Sequence, residues 1–190
     1  MLRLFTEALG AFILQRLTDL PQAPAISYAL PGAVPGKDAL SLFLCTIAED
    51  ADLRSNEKLY EQTAFGWVAV QPPLRLKCSY IVSAWPAADD KEEAALSQAR
   101  LLGSVYSALL SAGSMPLSFL SAPLNSAGLP KPVIALTENA LSNRPEFWIS
   151  VGCAFRPSFS FTATVSVPAA GDSREYTVEG LDIGYDIRQG

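Results

Sequence analysis

Few residues in this chain could carry chemistry, and their types exclude more than their spacing suggests. Histidine is absent, which removes Ser-His-Asp and Cys-His catalysis together with the commonest ligand of transition metals. No GxSxG elbow, phosphate-binding glycine loop, GxGxxG turn or metal-binding helix motif occurs. Two arrangements remain. Lys58 or Lys77 with a neighbouring serine would make a Ser-Lys dyad, but serine is abundant and no single one stands out, so both lysines read as solvated side chains. The loop Glu49-Asp50-Ala51-Asp52-Leu53-Arg54-Ser55-Asn56-Glu57 offers carboxylates and an amide to a hard cation such as calcium. It lacks the glycine and the terminal bidentate glutamate of a calcium loop. The better reading is a solvated or interfacial loop whose Asp and Arg pair with one another. Glu49, Asp50, Asp52 and Arg54 are therefore interface candidates, and no catalytic residue, metal or cofactor is expected.

Cys45, Cys78 and Cys153 are odd in number, widely spaced and set in apolar stretches. This is no disulfide framework, and the three read as small buried hydrophobes of a chain made in a reducing compartment. Phe155, Phe159 and Phe161 read as a core stripe rather than a pocket lining. Trp67, Trp85 and Trp148 lie near the ends of elements, where a ring covers the core edge or anchors an interface.

Those residues need elements to hold them. A chain of 190 residues suffices for one domain, and with 49% hydrophobic but only 17% charged residues it has few charges to solvate a monomer, which favours an oligomer. The basic residues are scattered and the net charge is -5, so nucleic acid and anionic lipid are not expected partners. Arg3, Glu7, Arg16 and Asp19 interrupt the apolar N-terminus too often for a signal-peptide core or a membrane span, and a cytoplasmic site of synthesis is expected.

The three- and four-residue spacing of Leu2, Phe5, Leu9, Phe12, Ile13, Leu17 and Leu20 predicts a helix over residues 2–20, ended by Pro21. Ala25 to Leu30 reads as a brief strand and Leu40 to Ile47 as a buried central one, followed by a polar stretch from Glu49 to Gln62. Alternation from Leu74 to Ala84 predicts a half-buried strand ending at Trp85-Pro86. Asp90 with Glu93 suits the start of a helix from Lys91 to Ala112, with Gly113 to end it and Leu96, Ala99, Leu102, Gly103, Tyr106, Leu109 and Leu110 as its buried stripe. Gly113 to Pro132 is loop-like, with a short strand allowed at Leu117 to Leu120, and Glu138 to Trp148 reads as a short helix interrupted near Pro145. A strand follows with Phe155, Phe159, Phe161, Ala163, Val165 and Val167 on one face and Arg156, Ser158, Ser160, Thr162, Thr164 and Ser166 on the other. Beyond it, Gly180 marks a phase change into Leu181, Ile183, Tyr185 and Ile187, which reads equally as an edge strand of this domain or as an arm that adds a strand to a neighbour. Together these elements make an α+β fold, largely antiparallel β-sheets packed with two main amphipathic helices.

The order of segments resembles the tail-terminator, or cap, proteins of contractile injection systems, headless particles built like phage tails. The resemblance is carried by the N-terminal helix, Leu42-Phe43-Leu44-Cys45-Thr46-Ile47 running into Glu49-Asp50, and Leu53-Arg54-Ser55-Asn56-Glu57. It continues through Pro72-Pro73-Leu74-Arg75-Leu76-Lys77-Cys78-Ser79-Tyr80-Ile81-Val82-Ser83-Ala84-Trp85, Leu101-Leu102-Gly103-Ser104-Val105 and Arg156-Pro157-Ser158-Phe159-Ser160-Phe161-Thr162-Ala163-Thr164-Val165. Ser27 to Lys37 and Gly113 to Pro132 do not match. The resemblance implies a terminator-like domain over residues 1–168, with 169–190 as a C-terminal strand or arm. It implies a homohexameric ring that docks on the distal end of the inner tube, halts its growth, contacts the last ring of sheath protein and catalyses nothing. The resemblance also leaves open another tail or baseplate adaptor with a related α+β fold, and a small-molecule-binding α+β domain is the more distant alternative.

Overall fold

The computed structural model describes residues 1–20, 22–32, 37–55, 57, 59–63, 66–126, 129–137 and 145–168. In chain order its elements are α1 (Leu2–Arg16), β1 (Ala25–Ser27), β2 (Ala39–Glu49), a 3-10 turn (Ala51–Leu53), β3 (Leu59–Thr63), β4 (Gly66–Val70), β5 (Leu74–Trp85), α2 (Lys91–Ala112), a second 3-10 turn (Leu117–Phe119), β6 (Val133–Thr137), α3 (Pro145–Ser150) and β7 (Ser158–Val167). Five strands form one sheet in the order β1-β2-β5-β7-β6, parallel only between β1 and β2. β5 is central. Its alternation sorts side chains between two faces, and Cys78, Tyr80, Val82 and Ala84 are buried with Leu40 and Leu42 of β2 and Phe161, Ala163 and Val165 of β7 beneath α1 and α2.

The α+β class and the two long helices agree with the sequence; several details do not. α1 stops at Arg16, with the Leu17 N–H turned to the Leu14 carbonyl at 3.2 Å. Pro21 has no N–H for the Leu17 carbonyl and disfavours helical backbone at Leu20, and Asp19 would meet the negative end of the helix dipole. Leu17 is still buried. α2 starts as expected, its Asp90 carboxylate accepting the backbone N–H groups of Glu92 and Glu93 at 3.0 and 2.9 Å, and Gly113 ends it at φ 58.

The stripe expected to bury α2 is largely the wrong face. Gln98, Leu101, Val105, Ala108 and Leu109 are buried, whereas Leu96, Tyr106 and Leu110 are exposed, as are Ala99 and Gly103. Apolar residues run along two faces of this helix, and periodicity alone cannot say which meets the sheet. Packing settles it: the Gln98 amide donates to the Ala84 carbonyl at 2.9 Å, at the end of β5.

Leu117–Phe119 is a 3-10 turn rather than a strand. Pro116 fixes its entry, and the Phe119 ring packs edge-on against Phe12 of α1 at 5.3 Å. β6 is a strand that periodicity misses, being only five residues long, and α3 begins at Pro145, the first-turn position that proline tolerates. The remainder of the helix expected from Glu138 lies outside the described residues. β7 starts at Ser158, so Phe155 lies before the strand and is exposed rather than core; Pro157 has no N–H to give a ladder. The hydroxyl row of β7 is not a solvent face either, because Ser160, Thr162 and Ser166 are buried. At one end of that second face, Trp148 of α3 closes over Ala39 and Trp85.

Candidate functional site

The apolar run of β2 predicts burial throughout, but only its first half is enclosed. Ala39 to Leu42 are covered, and exposure rises along the strand until Ile47 is half exposed. A register shift between Leu44 and Thr46 bulges the strand at Cys45 and re-aims the residues beyond it. β2 and the start of β5 thus overrun the helix layer, and this projecting end carries the acidic loop.

Backbone pairing fixes that loop first: the Asp50 N–H donates to the Arg75 carbonyl at 2.7 Å, and the Leu53 N–H to the Asp50 carbonyl at 3.2 Å. The side chains then pair across the turn. Arg54 Nε lies 3.5 Å from Glu49 Oε1, and Lys77 Nζ lies 3.6 Å from Asp50 Oδ2. Both members of the first pair are well exposed, which makes it worth about 0–1 kcal/mol. Asp50 is buried, so its carboxylate depends on the partly exposed Lys77 ammonium. Asp52, in the 3-10 turn, faces solvent. Lys77 is therefore engaged by a carboxylate and not by a serine, while Lys58 lies outside the described residues. Among the described residues no group of three or more cysteine, aspartate or glutamate side chains is placed to hold a metal.

Directly after the loop, β3 and β4 pair from Leu59 with Val70 to Thr63 with Gly66 and form a two-stranded sheet of their own. Sequence pattern alone misses this hairpin, because Glu61 and Gln62 make the stretch look merely polar. The signal present is the Trp67-Val68-Ala69-Val70 run opening at Gly66. Leu59 and Tyr60 are exposed. A lone two-stranded hairpin is at best marginally stable in water, which makes this projection a natural place for a partner.

The other candidates divide. Cys78 is buried and Cys45 and Cys153 half-buried, all as free thiols. Burial pushes the Cys78 thiol up to about 11 and also raises that of Cys45, so neither is poised as a nucleophile. Trp85 and Trp148 belong to the small cluster under α3, with the Arg156 guanidinium over the Trp85 ring at 4.2 Å. Trp67 lies in β4. Leu102, Tyr106, Phe155 and Phe159 line an open notch of about 420 Å³ beside α2, walled with no charged group. Leu181, Ile183, Tyr185 and Ile187 lie outside the described residues. No helix among the described residues is long and apolar enough to cross a membrane.

The arrangement is one of exposed loops, a hairpin and apolar faces around a closed core. Residues 5–178 match the model of the family described as the Pvc16 N-terminal domain. The chain belongs to that family. The family's fold recurs in solved structures. One is the sheath/tube terminator, in its extended state, of an extracellular contractile injection system called PVC; it is 22% identical with a TM-score of 0.68 over 100% of this chain and 64% of that one. Another is the cap of the anti-feeding prophage, a tube-terminating cap, 21% identical with a TM-score of 0.67 over 93% of this chain and 58% of that one. At such identities the likeness is one of fold, and this chain spans less than two thirds of either matched chain. No curated protein matches the chain.

Proposed function

We propose that this chain is a non-enzymatic cap, which ends the inner tube of a contractile injection system and joins the distal tube end to the last sheath ring. One observation carries the reading: the fold likeness to a sheath/tube terminator and the family match over residues 5–178 coincide on this chain. A homohexameric ring is the form in which such a chain meets a tube end, and cyclic symmetry would bury the apolar surface that so few charges leave uncovered. Synthesis in the cytoplasm, before assembly into the particle, goes with this reading.

The projecting end of the sheet is the part that reaches a neighbour. Glu49, Asp50, Asp52 and Arg54, held by the backbone bond to β5, would set the register of that contact, with the hairpin of β3 and β4 packing beside it. Residues 1–168 act as the ring-forming body and 169–190 as its arm, in which Leu181, Ile183, Tyr185 and Ile187 add a strand to tube or sheath; strand addition gives a direction-specific joint from backbone hydrogen bonds.

Light scattering on the purified chain, alone and mixed with its tube protein, tests the ring. A particle near six times 20.3 kDa on tube ends in the mixture supports it. A stable monomer that ignores the tube would contradict it.

A further inference from the structure

α2 carries an apolar face that its own fold leaves uncovered. Leu96 and Leu110 are 67% and 65% exposed and Tyr106 43%, and together with Ala99 and Gly103 they recur at alternating three- and four-residue steps. That spacing is the seam by which one helix packs on another. Leu101, Val105, Ala108 and Leu109, on the face below, already satisfy the sheet.

Gly103 is the telling residue. Glycine inside a helix is costly relative to alanine, and nothing in this chain requires it: a Cβ built there meets no atom within 4 Å, and its φ is ordinary. A helix that tolerates glycine without an internal reason is suited to close approach from outside.

We propose that this face binds α2 of a second copy of the chain, antiparallel and related by a twofold axis through Gly103. The seam is self-complementary about that point. Leu96 of one copy then faces Leu110 of the other, Tyr106 lies over the small Ala99, and the Arg100 guanidinium reaches the Tyr106 ring, a favourable cation–aromatic arrangement. The seam itself carries no charge, so no like charges meet along its centre. With Phe155 beside it, the face presents on the order of 500 Å² per copy, and a pair buries about 1,000 Å², the size at which specific association begins. A twofold contact closes on itself and does not propagate around a ring. It holds free subunits as pairs before they load on a tube end.

The test is sedimentation of the 190-residue chain between about 1 and 100 µM, beside Gly103→Gln and Gly103→Cys. The glutamine has open space in its own subunit and a better helix propensity, so the dilute variant should melt no lower than wild type. Its self-association should be weaker by at least ~10-fold. Mild oxidation of Gly103→Cys should give a disulfide-linked dimer that wild type does not form. A wild-type chain monomeric throughout overturns the inference, as does self-association that Gly103→Gln leaves unchanged or that yields no cross-link at position 103. A chain that pairs this way yet ignores tubes would keep this inference and lose the cap.

Discussion

Tyr80 and Thr6 make the sharpest test of how α1 is held to the sheet. Tyr80 sits fully buried on β5, its ring stacked on Phe161 at 5.2 Å. Its hydroxyl lies 2.9 Å from Thr6 Oγ1, and Thr6 Oγ1 lies 3.0 Å from the Leu2 carbonyl. The threonine hydroxyl has one proton, which goes to Leu2, so the phenol must donate to Thr6. Tyr80→Phe keeps the ring and its stacking and removes one neutral hydrogen bond, leaving Thr6 bonded to Leu2; the cost is about 1 kcal/mol. Thr6→Val keeps the volume but strands a buried hydroxyl, at about 1–3 kcal/mol. The double variant should then cost no more than Thr6→Val alone, because once the phenol oxygen is gone nothing is stranded. Urea denaturation at pH 7 measures all three. A Tyr80→Phe variant costlier than Thr6→Val, or a double variant whose cost is the sum of the two, would mean that the two hydroxyls do not depend on each other in this way.

Burial also raises the Tyr80 phenol above its ordinary value of 10.0. The folded chain therefore holds that proton where the unfolded chain has lost it, and stability should fall as pH rises above about 10; Tyr80→Phe should blunt that fall, and an unchanged alkaline slope would contradict it. With its thiol pushed up to about 11, Cys78 should resist a maleimide at pH 8 while the chain is folded, and mass spectrometry showing it among the first thiols labelled would count against the fold. Asp90→Ala removes both N-cap bonds of α2 and should cost about 1 kcal/mol, or roughly 2–4 °C in melting temperature for a chain of this size, read by calorimetry. Trp148→Ala, opening the cluster with Ala39 and Trp85, should cost about 3–5 kcal/mol in the same assay. Deleting residues 180–190 should leave the melting temperature unchanged and lower the yield of complete particles; particles formed in full number would show that the arm has no part in assembly.

Much of this fold is legible because its strongest elements obey a single period. β5 and β7 alternate, and α2 is bracketed by Asp90 and Gly113, so local chemistry and tertiary packing agree there. Where a segment satisfies two arrangements, the sequence does not decide between them. α2 has apolar residues on both sides, and the bond from Gln98 to the Ala84 carbonyl, which no pattern announces, picks the face that turns inward. β2 reads as uniformly apolar, yet it outlasts the helices above it, so the exposure of Ile47 depends on the lengths of other elements. The hairpin of β3 and β4 is hidden by its own polar residues. For the candidate site, ion pairing in the loop is readable but its partners are not: Arg54 takes Glu49 rather than an aspartate, and Asp50 is the buried member with Lys77, from another strand, its partner.

Whether this chain is a cap is decided where a tube ends. Inner tubes grown from purified tube protein, with the gold-labelled chain added partway through growth, can be imaged by electron microscopy. A cap predicts label at a single end of each tube and tubes that stop lengthening once labelled. Label along the tube wall, label at the baseplate-proximal end, or unlabelled tubes of undiminished growth would contradict it.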